Sequence, residues 1–289
     1  LPVLLNATKL NIVPNIVKLL SSRSLILLVE RFYRLGAGAI ITFMVARLLG
    51  EEALGTYGVV MVWLAFLAPL TNLGLNNLVQ KMAHQAATPL ETQQYLQTAV
   101  WLRLLAGLLC AGLMILGFVT FYPHYFQQGP WSISLLFVLQ TFFSFILFEY
   151  EQNVAGHFRA VALGKVLIST VTLAARIWGL WSGLGVEFLF LIVGLEFLAT
   201  GLMQYGWYRN YCKAQPALRF GYFSLTHAKE MLKRASWLWL AAVLSVIYLK
   251  IDTVMIEAMM GVAAAGQYTA VARISELWYV IPVTLAARY

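Results

Sequence analysis

Seven basic and four acidic residues interrupt long apolar runs of this 289-residue chain: Arg31, Arg34, Arg103, Lys165, Arg176, Lys250 and Arg273, against Glu30, Glu196, Asp252 and Glu276. An ionised side chain in hydrocarbon costs about 2.5–3.5 kcal/mol even on lenient insertion scales, so such residues face a cavity or one another. The surplus is three positive charges, and a cavity with that surplus suits an anion. Guanidinium forks match phosphate oxygens two at a time, which makes the seven basic residues candidate substrate-binding groups for a phosphate or pyrophosphate head group. Glu196, Asp252 and Glu276 are the candidates for coupling to protons or sodium. Local spacing pairs Glu30 with Arg34, four apart, and Arg273 with Glu276, three apart, and leaves Arg31 without an intrahelical partner. Lys250 and Asp252, two apart, point to different sides. Arg103 and Lys165 lie within about two turns of a helix end, close enough to snorkel to water.

Other chemistry is thinly represented. Cys110 sits in an apolar block and Cys212 in a polar linker, too few for a disulfide framework. His84, His124, His157 and His227 stand alone in separate linkers, with no second ligand at i+3 or i+4. Glu149 and Glu151, flanked by His157 and Arg159, read as a solvated loop. No catalytic residue, metal or cofactor is expected.

The elements that must position these charges follow from composition. Hydrophobic residues make up 61% of the chain and charged ones 11%, against roughly 45–50% and about 25% in soluble domains, which excludes a water-soluble globule. Eight apolar blocks, near 25–46, 54–78, 96–120, 131–149, 160–181, 186–207, 235–257 and 266–286, have the length a helix needs to cross about 30 Å of hydrocarbon. The fold class is all-α, a polytopic transmembrane helical bundle. The net charge of +8 lacks the aromatic interleaving of a nucleic-acid surface; its distribution instead sets topology. With the N-terminus cytoplasmic, the linkers on that side hold Lys9, Lys18, Arg23, Lys81, Arg159, Arg209, Lys213, Arg219, Lys229, Lys233 and Arg234, and the opposite linkers only Arg47. Residues 1–24 form a cytoplasmic or interfacial segment. Two cytoplasmic linkers are expected to hold short helices of their own: one opened by Thr88-Pro89-Leu90-Glu91, a capping box with proline at the first helical position, and an amphipathic one over 224–235 suited to an anionic leaflet.

Two segments repeat. GEEALGTYGVV (50–60) and GVAAAGQYTAV (261–271) share G-x-x-x-x-G-x-Y, placing Gly50, Gly55 and Tyr57 against Gly261, Gly266 and Tyr268 at an offset of 211. Six spans per repeat make both halves start on the same side, a parallel repeat. The domain boundaries expected are a first six-helix bundle at 25–207, a linker at 208–234 and the start of a second bundle at 235–289. Twelve or more spans are expected in the whole, with this chain a part of it.

The segments ARLLGEEALGTYGVV (46–60), LGLNNLVQKMA (73–83) and the stretch 250–282 resemble the polysaccharide or O-antigen flippases of the multidrug/oligosaccharidyl-lipid/polysaccharide exporter superfamily. The resemblance implies two six-helix bundles about a cationic cavity in the bacterial cytoplasmic (inner) membrane. It implies alternating access for undecaprenyl-pyrophosphate-linked oligosaccharide in polysaccharide or lipopolysaccharide synthesis, without an enzymatic step. Asp252, Arg273 and Glu276 match its second-half motif. The partners implied are the lipid-linked anionic saccharide, membrane lipids and a polysaccharide polymerase or glycosyltransferase, with no nucleic acid. The alternatives are a lipid II or multidrug exporter of the same superfamily, and a membrane-embedded glycosyltransferase or polymerase, which needs a general base or metal-binding acids near a membrane face.

Overall fold

The structure is a computed structural model that describes residues 22–214 and 221–286; segment 1–21 and the side chains of Arg31 and Glu276 lie outside the described residues. Among the described residues eleven α-helices follow in order: α1 (Ser22–Leu48), α2 (Gly50–Asn72), α3 (Leu75–Gln85), α4 (Pro89–Phe121), α5 (Pro123–Gln128), α6 (Pro130–Gln140), α7 (Glu149–Val154), α8 (Phe158–Trp181), α9 (Val186–Ala214), α10 (Leu225–Met260) and α11 (Val262–Ala286). A 3₁₀ segment, Thr141–Phe148, joins α6 to α7. Each apolar block of the sequence is helical, although 54–78 runs across the break between α2 and α3 and 131–149 across α6, the 3₁₀ segment and the start of α7. Among the described residues, six stretches are long and apolar enough to cross a membrane: Gly50–Gln85, Pro89–Phe121, Pro130–Val154, Phe158–Trp181, Val186–Asn210 and Leu225–Met260. The chain is an all-α, polytopic helical bundle, the arrangement in which a chain in lipid satisfies every backbone polar group internally.

The capping signal at Thr88 is real, but the helices that the two linkers open run well beyond them. Thr88 Oγ1 accepts from Glu91 N at 3.2 Å, and Glu91 Oε2 accepts from Ala87 N, one residue before the cap, at 2.9 Å, a capping box shifted by one residue on its return bond. That box opens the 33-residue α4 and no separate short helix. Ser224 likewise caps the 36-residue α10, whose first turns are the amphipathic stretch. No glycine or proline interrupts residues 225–260, so nothing stops the helix at the expected boundary. The block 131–149 departs the other way, tightening through eight 3₁₀ residues. Gly201 of α9 lies against this segment: a Cβ there would stand 2.3 Å from Phe142 O.

Apolar side chains cluster at both ends. Ile41, Leu54, Tyr57, Phe118, Phe137 and Phe190 pack at the end carrying residues 122–129, and Leu75, Leu96, Phe145, Phe148, Tyr208 and Met231 at the other. In the second cluster Tyr208 stacks on Phe148 with centroids 3.9 Å apart. Tyr208 also accepts from Gln97 Nε2 at 2.9 Å. Gln97 Oε1 in turn accepts from Gly221 N and Tyr222 N, tying the start of the last helical hairpin to α4.

The two repeated motifs meet. Gly50 and Gly261 both sit at positive φ, +85° and +91°, a backbone that favours glycine at the turn between helices. A Cβ on Gly55 would lie 2.0 Å from Val262 O, and one on Gly266 2.2 Å from Glu51 O. The offset of 211 carries Glu51 onto Val262 and Gly55 onto Gly266, so these are one contact taken in both directions, as a two-fold relation requires. The same offset carries Gly58 onto Thr269, and these two positions face each other. The repeat is therefore the surface through which α2 and α11 approach, glycine to backbone, as helices in lipid do where small residues line the seam.

Candidate functional site

Beside that seam lies a cleft of about 190 Å³ lined by Tyr57, Gly58, Lys250, Thr253, Thr269 and Arg273, with Met61 and Ala65 on its α2 wall. Helical spacing explains the convergence. Lys250 and Thr253 lie three apart on α10, Thr269 and Arg273 four apart on α11, and Tyr57, Met61 and Ala65 at four-residue steps on α2. Two cations from the last hairpin thus share one half-buried cleft with hydroxyls and an aromatic ring from the front of the chain. Asp252 points elsewhere, as its spacing from Lys250 requires: Tyr268 Oη donates to its Oδ2, and its Oδ1 is buried without a partner.

The remaining basic residues do not join this cleft. Lys165 is buried and pairs with Glu149 Oε2 at 2.5 Å. Arg176 pairs with Glu196 Oε2, which also accepts from Thr172 Oγ1 at 3.1 Å. Arg34 reaches Glu30 Oε1 at 3.1 Å, the pair expected from their spacing, with Glu30 buried and Arg34 exposed. Arg103 is 1% exposed and donates through Nη1 to Asn76 Oδ1 at 2.8 Å and through Nη2 to Asn72 Oδ1. Neither Arg103 nor Lys165 snorkels. Arg31, Glu276 and the Arg273–Glu276 pair fall outside the described side chains.

The carboxylates at 149 and 151 do not form a solvated loop. Glu149 holds Lys165 and Glu151 is 7% exposed, because α7 continues the span of α6 to Val154 instead of leaving it. No local pattern signals this, since both partners of the Lys165 pair lie on different elements.

Sequence reasoning also passed over Glu257, at the edge of its block. Glu257 is 9% exposed, accepts from Tyr125 Oη at 3.1 Å, and stands 4.0 Å from His124 Nε2. Burial and the neighbouring Glu257 carboxylate push the Tyr125 phenol well above its ordinary value, so it remains a donor. Burial and the same carboxylate also raise Tyr122. Glu257 borders the largest cavity described, about 730 Å³, walled by Trp63, Cys110, Met114, Phe118 and Tyr122. Its chemistry, an apolar volume with a carboxylate at the rim, differs from that of the Lys250–Arg273 cleft.

Neither the curated proteins nor the solved structures contain a match to this chain. A family described as polysaccharide biosynthesis protein matches residues 22–287, which include α1 to α11, both repeated motifs and every residue of the two cavities. With a membrane-spanning helical bundle and that match over nearly its whole length, the chain belongs to the polysaccharide biosynthesis protein family.

Proposed function

We propose that the protein is a flippase that moves a lipid-linked, anionic saccharide across a bacterial cytoplasmic membrane by alternating access, with the polyprenyl-pyrophosphate group as the charge it recognises. The observation that carries this reading is the convergence of Lys250 and Arg273 on one cleft at the α2–α11 seam. A guanidinium and an ammonium beside hydroxyl groups are a phosphate-binding set. The cleft lies where the last hairpin meets the front bundle, so motion of one against the other exposes or closes it. Asp252 and Glu196 are the described acids available for coupling, Asp252 already holding the Tyr268 hydroxyl and Glu196 holding Arg176 and Thr172. With the cell interior negative, outward movement of each negative charge gains about 2.3 kcal/mol per 100 mV. The saccharide unit, O-antigen or another, is left to the assay.

A second reading, a multidrug exporter of the same superfamily, is favoured by one observation, the 730 Å³ apolar cavity with Glu257 at its rim. An amphipathic organic cation fits that chemistry. One experiment separates the two. Full-length protein in proteoliposomes is assayed for flipping of fluorescent undecaprenyl-pyrophosphate oligosaccharide and for transport of a lipophilic cationic dye. Lys250→Ala and Arg273→Ala should each lower flipping about 10- to 100-fold, the worth of a charge-assisted hydrogen bond, while Glu257→Gln leaves it intact. Dye transport abolished by Glu257→Gln, with no saccharide flipping, sinks the flippase reading.

A further inference from the structure

Arg103 is a cation in the interior of the front bundle for which the described residues supply no carboxylate. Lys165 has Glu149 and Arg176 has Glu196, but the two acceptors on Arg103 are the neutral amides of Asn72 and Asn76. Its Nε is buried and has no partner. The nearby helix dipoles do not supply the missing charge. Asn72 ends α2, where the dipole is worth about half a negative charge, and Asn76 stands in the first turn of α3, where it is worth about half a positive one. A buried carboxyl can escape this problem by taking up a proton, whereas a guanidinium stays charged. Burial of such an ion without a counter-charge costs several kcal/mol.

The space for a counter-ion is present. Arg103 borders a cavity of about 220 Å³ with Thr71, Asn72, Gln140, Ser144, Phe143 and Phe197. Gln140 Oε1 is buried there without a partner, and its Nε2 holds Leu64 O only at 3.4 Å. The backbone is bent to make this arrangement. Leu73 and Gly74 stand at φ +52° and +67°, breaking the span between α2 and α3 so that Asn72 and Asn76 both reach one guanidinium. Gly74 also lets Trp239 N of α10 approach, within 2.8 Å of where a Cβ would be. Met61 and Ala65 line both this cavity and the Lys250–Arg273 cleft, so the two are neighbours along one face of α2.

We propose that Arg103, with Asn72, Thr71, Gln140 and Ser144 beside it on the cavity wall and Asn76 holding the guanidinium from outside that wall, forms a binding site for a small inorganic anion, of halide to phosphate size, next to the Lys250–Arg273 cleft along α2. The anion supplies the charge the protein omits, and the site stands whether or not the protein is a flippase. It is tested by thermal unfolding of the purified full chain in a neutral detergent. The salts compared are sodium chloride, sodium phosphate and, at equal ionic strength, sodium lactobionate, whose disaccharide anion is too bulky for the cavity. Wild type should gain about 3–5 °C in chloride or phosphate at roughly tenfold its Kd, relative to lactobionate. The gain should vanish in Arg103→Gln, which removes the charge. It should also vanish in Asn76→Asp, which keeps the arginine and places a carboxylate where an acceptor already sits 2.8 Å away. This second variant keeps the test decisive if the first fails to fold. No gain in wild type, or the same gain in Asn76→Asp, overturns the site. A gain produced by phosphatidylglycerol micelles but not by inorganic phosphate assigns the guanidinium to a lipid head group and also overturns it.

Discussion

Arg176 and Glu196, on α8 and α9, are paired with their side chains 12% and 24% exposed. Between helices in lipid, each of these charges is tolerated because the other is there. Removal of one partner from a buried pair costs about 3–5 kcal/mol, whereas removal of both in favour of apolar groups of similar size is often neutral. Arg176→Met should therefore destabilise the protein by roughly 3 kcal/mol or more, and the double variant Arg176→Met, Glu196→Leu should recover most of that loss. Thermal unfolding in micelles reads both. Equal stability of the single and double variants would mean that Glu196 finds another donor, Thr172 being the neighbour that already contacts it. The same logic applies to Lys165, whose charge is offset by Glu149 inside the bundle.

At the scale of elements, the α2–α11 seam is set by glycines. A methyl at Gly55 or Gly266 would meet an opposing carbonyl oxygen at 2.0 or 2.2 Å, and backbone cannot swing aside as a side chain can. Gly55→Ala and Gly266→Ala should each destabilise by about 1–3 kcal/mol and move α11 away from α2. Spin labels replacing exposed Glu52 and Gln267 would report that movement as a longer distance. Gly36→Ala on α1, where a Cβ meets nothing within 4 Å, should be neutral or stabilise by up to about 1 kcal/mol, since alanine is the better helix former. Comparable losses at all three positions would assign the effect to the helices themselves and not to the seam.

For the molecule as a whole, the basic linkers predict one orientation. A membrane-impermeant maleimide should label His157→Cys only after the cytoplasmic face is opened, and Ser182→Cys in intact cells, in a background lacking Cys110 and Cys212; the reverse pattern would invert the topology. Both positions lie at exposed helix ends. The helical class, six of the eight expected spans, the cap at Thr88 and the Glu30–Arg34 pair were legible in the sequence. Backbone in lipid has few ways to satisfy itself, and neighbours three or four apart on a helix meet whatever the helix packs against. The pairing of Lys165 with Glu149 and Arg176 with Glu196, the isolation of Arg103 and the burial of Glu257 were not legible. Each joins or separates residues on different helices, and in lipid the choice of helix partner rests on close packing, which hydropathy does not encode. The repeat shows both sides: its spacing stood in the sequence, but only the tertiary structure brought residues 211 apart into contact and placed Lys250 and Arg273 beside them.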